Sequence, residues 1–288
     1  MTIKRDMVAV LGSGYVARFM PSLTNLYDIV RHTSRDPNHH LTWVPPQQRL
    51  RFDLEQRDTW TNIPSDTDLL WCFPAVPLDS VREFATSIKG LFRKLVVLGS
   101  TSAYDVATSS IYPPPWIDES APINLSKPRV QGEEFLRKEC GAIVLRVSGI
   151  YGPNRNPLDW IRKGRVSPSR KYVNLIHVED LAAVCVAALE RGQRGEAYNV
   201  SDGTPRTWNE IYMIARDRWR LPEVREQRTQ ECGKRIDARK LRDELGQLLR
   251  HTDLFDSLNG LEGARCALQE GSSKRSSNKA AGENTPEA

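Results

Sequence analysis

A glycine-rich turn that closes the first apolar run constrains this chain more than any other feature. The run Met7–Leu11 is followed by Gly12-Ser13-Gly14-Tyr15-Val16-Ala17. In a Gly-x-Gly-x-x-Ala turn between strand and helix, the first glycine permits the tight turn and the second lets a pyrophosphate approach the backbone. The helix N-terminus then offers amide N–H groups and partial positive charge to the phosphate. The sequence predicts a dinucleotide site at Gly12, Ser13, Gly14, Tyr15 and Val16; a plain strand–turn–helix corner is the alternative.

A second strand-like run, Asp28–His32, leads to Ser34 and Arg35 at the separation where a dinucleotide fold meets the adenosine ribose. A carboxylate at this position would bind the ribose 2′-hydroxyl. Here Ser34 is predicted to occupy it, and a hydroxyl followed by a guanidinium suits a 2′-phosphate. The sequence therefore favours NADP over NAD, with NAD still possible because Asp36 is a competing carboxylate if the register shifts.

Strand-like runs and helical patterns alternate through the first half of the chain. The runs occupy 7–11, 28–32, 49–54, 68–73, 94–98 and 142–147. Continuous apolar runs are typical of strands buried on both faces, and their alternation with helices predicts a parallel sheet covered on both sides. The predicted fold class is α/β, a doubly wound, Rossmann-like parallel sheet with a small C-terminal substrate lobe.

The same pattern predicts how the chain is divided. Residues 1–150 are predicted to form the NAD(P)-binding domain, and 151–268 mainly the substrate lobe, with 173–190 returning to the first domain. Residues 269–288 contain no large apolar side chain, which predicts a disordered tail.

Local signals predict where several helices begin and end. Two capping boxes, Ser80-Val81-Arg82-Glu83 and Thr207-Trp208-Asn209-Glu210, each predict a helix start. Asp180 is predicted to cap an amphipathic helix over 179–190, with His177 as a structural partner. Pro21 is predicted to kink or end the first helix.

Composition excludes several classes of function. The 41 Lys and Arg against 36 Asp and Glu give a net charge of +5, but the signs are mixed along the chain, so no nucleic-acid partner is predicted. No apolar run reaches membrane-spanning length and no signal segment is evident. The 5 cysteines are dispersed without a Cys-x-x-Cys pair. These features predict a cytoplasmic protein with reduced thiols, no membrane partner and no metal site.

Five further motifs follow the glycine turn in order: Val96–Tyr104, Asp118–Pro122, Leu145–Pro153, Asn174–Leu181 and Ala197–Asp202. With them, residues 7 to 265 resemble the extended or atypical short-chain dehydrogenase/reductase superfamily, in its NAD-dependent epimerase/dehydratase-like group. The resemblance implies a probable oxidoreductase or epimerase acting on a small polar or nucleotide-sugar-like substrate. It places Ser100 at the reacting oxygen, Asp53 and Leu54 at the adenine edge, and Phe73 beside the ribose and pyrophosphate. A homodimer is expected because such families often form one.

The chain departs from this family at its proton donor. Active members carry Tyr-x-x-x-Lys after the acidic loop, whereas one alignment places Leu125 and Arg129 at these positions and another places Arg129 and Glu133. Leucine cannot exchange a proton, and arginine is always charged near neutral pH. A branch that commonly lacks the pair shares the Gly-Lys-Arg-Ile motif found here at 233–236.

Three explanations of the missing pair stay open. Another acid replaces it, with Tyr104, Tyr112 and Tyr151 as candidates; the substrate needs little proton transfer; or the chain is a non-catalytic NADP-binding sensor or interaction protein. Ser100 and Asp53 also have simpler interpretations, as a turn cap and a helix cap.

Overall fold

The computed structural model describes residues 4–106, 109, 111–227, 229, 231–246 and 249–265. The strands are β1 Arg5–Leu11, β2 Tyr27–Ser34, β3 Arg49–Arg51, β4 Thr67–Trp71, β5 Phe92–Ser100, β6 Trp116–Ile117, β7 Ile143–Val147, β8 Gly149–Tyr151, β9 Tyr172–Val173, β10 Leu175–His177, β11 Ala197–Val200, β12 Arg206–Thr207 and β13 Arg235–Ile236. The α-helices are α1 Leu23–Leu26, α2 Pro37–His40, α3 Leu78–Ser87, α4 Pro128–Cys140, α5 Pro157–Arg162, α6 Val178–Arg191, α7 Trp208–Trp219 and α8 Arg239–Leu245. Residues 254–265 are also helical.

Within the described ranges, seven strands form a sheet in the order β3-β2-β1-β4-β5-β7-β11. All six pairings are parallel. The chain winds outward from β1 to β3, then returns to the other side of β1 at β4. The carboxyl ends of β1 and β4 therefore open a crevice at the point where the strand order reverses. The predicted doubly wound α/β fold is confirmed.

Two apolar layers cover the two faces of this sheet. Alternate residues of β1 divide between them, with Val8 and Val10 in the layer formed with α6 and α1. Ala9 and Leu11 face the opposite layer, which is formed with α3 and α4. This alternation is what a strand buried on both faces requires, because successive side chains point to opposite faces.

A third apolar cluster lies beyond the sheet. It unites side chains of β8, β10, α5, α7 and the helical residues 254–258, around the buried Tyr151 and Ile211. In contrast, β11 pairs with β7, and α6 packs on the main sheet. Residues of the second half therefore contribute to both parts of the molecule, while the proposed division at residue 150 stays a prediction.

The predicted helix starts agree with the structure in one case of three. Thr207 caps α7 by accepting the amide of Glu210 at 3.1 Å. The box at 80–83 does not cap α3, which begins two residues earlier, after Pro77. Asp180 does not cap α6 either; His177 does. The Asp180 carboxylate instead accepts the amides of residues 250 and 251, at 2.8 and 2.9 Å. This contact across 70 residues has no local sequence signal.

The helix after the glycine turn is shorter than predicted. A 3₁₀ helix, Val16–Phe19, replaces the expected α-helix, and the four-residue α1 follows only after Pro21. Proline cannot donate an amide within a helix, so the prediction that Pro21 ends the first helix is confirmed. The partial positive charge at this turn comes from one short helical turn.

No helix among the described residues has the length and apolar character needed to cross a membrane. The tail predicted from residue 269 lies outside the described residues.

Candidate functional site

The glycine turn is held in place by its own amides. The amide of Gly12 donates to Thr33 Oγ1 at 3.0 Å, and that of Ser13 donates to the Thr33 carbonyl at 2.9 Å. The amide of Gly14 donates to the Gly12 carbonyl at 2.7 Å. The amides left for a ligand are those of the first turn of the 3₁₀ helix, which have no acceptor within that helix.

Glycine is required at position 12 for two reasons. Its φ is +75°, and a Cβ there would lie 2.6 Å from the Phe73 ring. At Gly14, in contrast, the nearest atom to an added Cβ would be the Gly12 carbonyl oxygen, at 3.9 Å. The Gly14 α-carbon therefore borders open space, as a close-approaching pyrophosphate would need.

The Ser13 side chain points into the protein. Its hydroxyl donates to the Val10 carbonyl at 3.0 Å and lies 3.1 Å from Nδ1 of buried His32. Burial lowers the pKa of His32 to about 4, so the ring is neutral at pH 7. This interior contact fixes the turn to the end of β2, and only the backbone of Ser13 is left at the surface of the crevice.

Two cavities adjoin at the crevice and share Gly12, Gly14 and Phe73. The Arg35 cavity, about 560 Å³, is lined by Gly12, Ser13, Gly14, Thr33, Ser34, Arg35, His40, Phe52, Asp53, Leu54, Glu55, Phe73, Val76 and Pro77. The Ser100 cavity, about 270 Å³, is lined by Gly12, Gly14, Tyr15, Val16, Cys72, Phe73, Pro74, Leu98, Gly99, Ser100, Arg129, Val147, Ser148, Ile150 and Arg155. Every site residue predicted from the sequence lines at least one of them.

The Arg35 cavity carries positive charge where β2 ends. Arg35 is exposed, and its guanidinium has no ion-pair or hydrogen-bond partner in the part of the chain that the structure describes. Ser34 Oγ lies 2.8 Å from Nδ1 of His40, which lines the same cavity. Asp36 instead caps α2 by accepting the amide of His39 at 3.2 Å. The strand register therefore puts Ser34, and not Asp36, in the cavity.

At the opposite wall of the Arg35 cavity, Asp53 is engaged by its own turn. Its carboxylate accepts the amide of Glu55 at 3.0 Å, and its carbonyl accepts the Trp60 indole N–H at 3.1 Å. Asp53 therefore caps a turn, whereas the sequence offered it as a helix cap. Its side chain still borders the Arg35 cavity.

In the Ser100 cavity, Ser100 caps the 3₁₀ helix Thr101–Tyr104. Its Oγ accepts the amide of Ser102 at 3.1 Å, which leaves the hydroxyl proton available for donation. Ser100 therefore caps this turn and also lines the cavity. The two are compatible, because a hydroxyl can accept one hydrogen bond while it donates another.

Two arginines supply all the formal charge on the lining of the Ser100 cavity. Arg129 pairs with buried Glu133 at 2.8 Å and donates to the Leu98 carbonyl at 3.4 Å. Arg155 lies 4.3 Å from the centre of the Tyr15 ring, whose hydroxyl donates to the Pro153 carbonyl at 2.8 Å. Sequence reasoning assigned Arg155 no role, although its position two residues after the Tyr151-Gly152-Pro153 motif was a usable signal.

The structure separates the three residues that the two alignments place at the missing pair. Arg129, which belongs to the pair in both alignments, lies at the start of α4 and lines the Ser100 cavity. Leu125 is half-exposed and lies outside both linings. Glu133 sits beneath Gly99, where an added Cβ would be 2.7 Å from its carboxylate oxygen. Burial raises the pKa of Glu133 to about 6, with Arg129 opposing this shift.

None of the tyrosines proposed as substitute acids lines the Ser100 cavity described above. Tyr104 is buried; its hydroxyl donates to Asn199 Oδ1 at 2.6 Å and accepts from Arg146 at 2.8 Å. Tyr112 packs against Tyr172, with ring centres 5.8 Å apart. Tyr151 is fully buried in the third apolar cluster. Tyr15 is the tyrosine that reaches the cavity, and burial raises its pKa, so it stays protonated near neutral pH.

The 3₁₀ helix that carries Ser100 is tied to two distant segments through Asp105. Lys127 donates to one Asp105 oxygen at 2.6 Å and to the Ser102 carbonyl at 3.0 Å. Lys234 contacts the other Asp105 oxygen and donates to the Thr101 carbonyl at 3.1 Å. The Gly-Lys-Arg-Ile motif at 233–236 thereby contributes its lysine to the support of this helix.

Comparison with known proteins gives a fold and one partial relative. No protein-family model matches the chain. Protein YeeZ of Escherichia coli K12 is 27% identical over 179 residues, which is 59% of this chain and 63% of that protein, less than two thirds of its length.

Solved structures match over nearly the whole described fold. A short-chain dehydrogenase/reductase superfamily protein from Agrobacterium tumefaciens, with bound NAD, has a TM-score of 0.74 at 17% identity, covering 93% of this chain and 99% of that one. The chain shares the fold of that protein. A conserved protein of unknown function from Silicibacter pomeroyi has a TM-score of 0.71 at 22% identity, covering 90% of this chain and 99% of that one. MoeE5, in complex with UDP-glucose and NAD, has a TM-score of 0.69 at 18% identity, covering 91% of this chain and 99% of that one. At these identities the matches establish the fold alone.

Proposed function

We propose that this protein binds a nicotinamide dinucleotide across the Arg35 and Ser100 cavities. The observation that carries the proposal is that both cavities meet at the glycine turn, at the carboxyl ends of β1 and β4. The open space beside Gly14 fits a pyrophosphate, with Gly12, Ser13, Gly14, Tyr15 and Val16 around it. The Agrobacterium and MoeE5 structures, which share the fold, contain NAD.

The side chains at the β2 end of the Arg35 cavity favour NADP over NAD. Arg35, His40 and Ser34 border the end of β2, while Asp36 is held in its cap. A 2′-phosphate gains charge-assisted hydrogen bonds from a guanidinium, whereas a free 2′-hydroxyl gains most from a carboxylate. Asp53 and Leu54 would then border the adenine, and Phe73 would border the ribose and pyrophosphate.

We propose further that the protein is an oxidoreductase or epimerase for a small polar or nucleotide-sugar-like substrate. The bound nicotinamide would supply hydride transfer, the chemistry that no side chain provides. Ser100 would donate its free hydroxyl proton in a hydrogen bond to the reacting oxygen. The charges of Arg129 and Arg155 favour a substrate with an anionic group, and MoeE5, a structure with this fold, binds UDP-glucose.

A second candidate function has an observation of its own. Arg129 stands at the lysine of the proton-donating pair in one alignment and at the tyrosine in the other, and it is ion-paired with Glu133. Arginine cannot lose its proton in this range, so this constellation binds anions better than it transfers protons. The alternative is a non-catalytic NADP-binding sensor or interaction protein on the same scaffold.

Titration with NADPH and NADH tests the binding proposal. Quenching of tryptophan fluorescence gives the Kd of each nucleotide for the wild type and for Arg35→Ala. Loss of a charge-assisted contact costs about 1.5–3 kcal/mol, so NADPH affinity is expected to fall about 10- to 100-fold while NADH changes little. Arg165→Ala, an exposed arginine outside both cavities, serves as the matched control. Failure of the wild type to bind either nucleotide would refute the proposal.

Turnover separates the two candidate functions. The wild type and Ser100→Ala are mixed with NADPH or NADP and a panel of carbonyl, hydroxyl and nucleotide-sugar compounds. Absorbance of the reduced cofactor detects oxidoreduction, and NMR of the panel compounds detects epimerisation, which leaves the cofactor unchanged overall. Turnover that Ser100→Ala lowers without weakening nucleotide binding supports the enzyme. Tight nucleotide binding with no turnover across the panel supports the sensor.

A further inference from the structure

A cavity of about 440 Å³ lies outside the nucleotide crevice, between the start of α6 and the segment 250–261. His177, Glu179 and His251 line it together. One ligand atom from each, a ring nitrogen from both histidines and a carboxylate oxygen, lie within 4.8 Å of one another. Neither the nucleotide proposal nor the apolar core uses this cluster.

The His251 side chain contacts both of the other two side chains. His251 Nε2 lies 3.0 Å from a Glu179 carboxylate oxygen. The imidazole rings of His177 and His251 stack with centres 3.7 Å apart and planes inclined by 29°. In a tetrahedral zinc site the metal lies about 2.0–2.2 Å from each N or O ligand, so ligand atoms about 3 to 3.5 Å apart are what it requires. The His251–Glu179 pair has this spacing before any ion is added.

Neighbouring groups hold the two histidines in position. The Asp180 carboxylate accepts the amides of Arg250 and His251, and so fixes the backbone that carries the second ring. Ser257 Oγ lies 3.4 Å from His251 Nδ1, which leaves Nε2 toward Glu179. His177 is placed by the helix it caps, with Nδ1 3.4 Å from the amide of Glu179. The Ser257 contact with the ring nitrogen opposite the proposed ligand atom of His251 is the kind of partner that orients a metal-binding histidine.

The charges around the cluster also suit a cation. Asp253 and Asp256 line the same cavity and outnumber its one lining arginine, Arg250.

We propose that His177, Glu179 and His251 form a site for a divalent transition metal ion of the zinc type. Two imidazoles and one carboxylate match the ligand preference of zinc, whereas Mg²⁺ and Ca²⁺ select oxygen ligands. Three protein ligands leave a coordination position for water from the open cavity. The ion replaces the hydrogen bond between His251 and Glu179, and the proton moves from Nε2 to Nδ1 of the same ring, where Ser257 Oγ can accept it.

A bound ion would cross-link two parts of the chain that are distant in sequence. It joins the first turn of α6, at the end of the main sheet, to the segment that leads into the helical residues 254–265. The third apolar cluster contains Leu254 and Leu258 from that helix. An ion bound only in the folded state therefore stabilises the attachment of the C-terminal segment to the sheet domain.

Calorimetric titration of the tag-free, EDTA-treated full chain with ZnCl₂ tests the site. One equivalent of zinc is expected to bind and to raise the melting temperature, while MgCl₂ does neither. Glu179→Gln and His251→Ala are expected to weaken zinc binding by at least about 10- to 100-fold, the loss that even an outer partner of a metal site causes. His39→Ala is the matched control, because His39 is an exposed histidine on α2 that lines none of the three cavities described.

Two further outcomes decide the assignment. His177→Asn keeps an oxygen that can cap α6, so a folded variant with weakened zinc binding supports His177 as a ligand. The proposal is overturned if the wild type binds no zinc, or if Glu179→Gln and His251→Ala fold and bind zinc as tightly as the wild type. Nucleotide binding is not part of this assay, so its result does not depend on the proposed function.

Discussion

Gly132, on α4, packs directly against the loop after β4, which contributes to the walls of the Arg35 and Ser100 cavities. A Cβ at this position would lie 2.0 Å from the Ala75 carbonyl oxygen, whereas ordinary contact begins at 3.4 Å. Ala75 follows Phe73 and Pro74, which line the Ser100 cavity, and Gly132 follows Arg129 by one helical turn. We therefore expect Gly132→Ala to move either the loop or the helix, and so to alter the site.

The size of the effect follows from two opposing terms. Overpacking a well-packed interior costs about 1–3 kcal/mol, and the upper end applies because a backbone carbonyl cannot rotate away as a side chain can. Alanine in place of glycine within a helix returns about 1 kcal/mol. The net expectation is a loss of about 2 kcal/mol in the free energy of unfolding, accompanied by weaker NADPH binding.

Gly260→Ala provides the matched control. Gly260 lies in the helical residues 254–265, and an added Cβ there meets no atom within 4 Å. Only the higher helix propensity of alanine acts here, so the free energy of unfolding is expected to rise by up to about 1 kcal/mol. Urea unfolding followed by tryptophan fluorescence gives both values, and nucleotide titration gives the affinities. If Gly132→Ala were as stable as the wild type and bound NADPH as tightly, the close packing of α4 on the loop would be refuted.

Two other variants test buried charge. Glu134→Ala leaves Arg146 buried without its carboxylate, now 3.1 Å away, and is expected to lower the free energy of unfolding by about 3 kcal/mol; an unchanged urea midpoint would contradict this. His32 has a pKa lowered by burial to about 4, below its ordinary 6.5, so the unfolded chain binds more protons in this window and stability falls as the pH falls. Between pH 6.5 and about pH 5, the wild type is expected to lose about 1.5 kcal/mol more than His32→Gln, and parallel pH profiles for the two would exclude the burial of a neutral ring.

The sequence predicts the sheet well because its signals are local. A buried parallel strand needs a continuous apolar run, and each run from 7–11 to 142–147 overlaps a strand of the main sheet. The glycine turn also has a local signal, because its conformation requires a glycine at position 12. Its hydrogen bond to Thr33 then follows from the pairing of β1 with β2. All predicted site residues therefore lie at the crevice, since the carboxyl ends of these strands meet there.

Other features depend on contacts that no window of sequence contains. Asp180 has the right type and position for a cap, but two amides some 70 residues away bind its carboxylate. Asp36 and Ser34 could not be distinguished until α2 was known to use Asp36 as its cap. His177 and His251 stack across 74 positions in the chain, so their spacing gave no indication of a metal site. These outcomes are set by tertiary packing.

The contact of Lys127 and Lys234 with Asp105 has a consequence for communication within the molecule. The Asp105 carboxylate accepts hydrogen bonds from Lys127, just before α4, and from Lys234, just before β13. Both ammonium groups also donate to backbone carbonyls of the 3₁₀ helix that Ser100 caps. A shift of either segment thus pulls on the same short helix. A displacement of the 233–236 segment would therefore strain the 3₁₀ helix that Ser100 caps, although that segment lies more than 130 residues further along the chain.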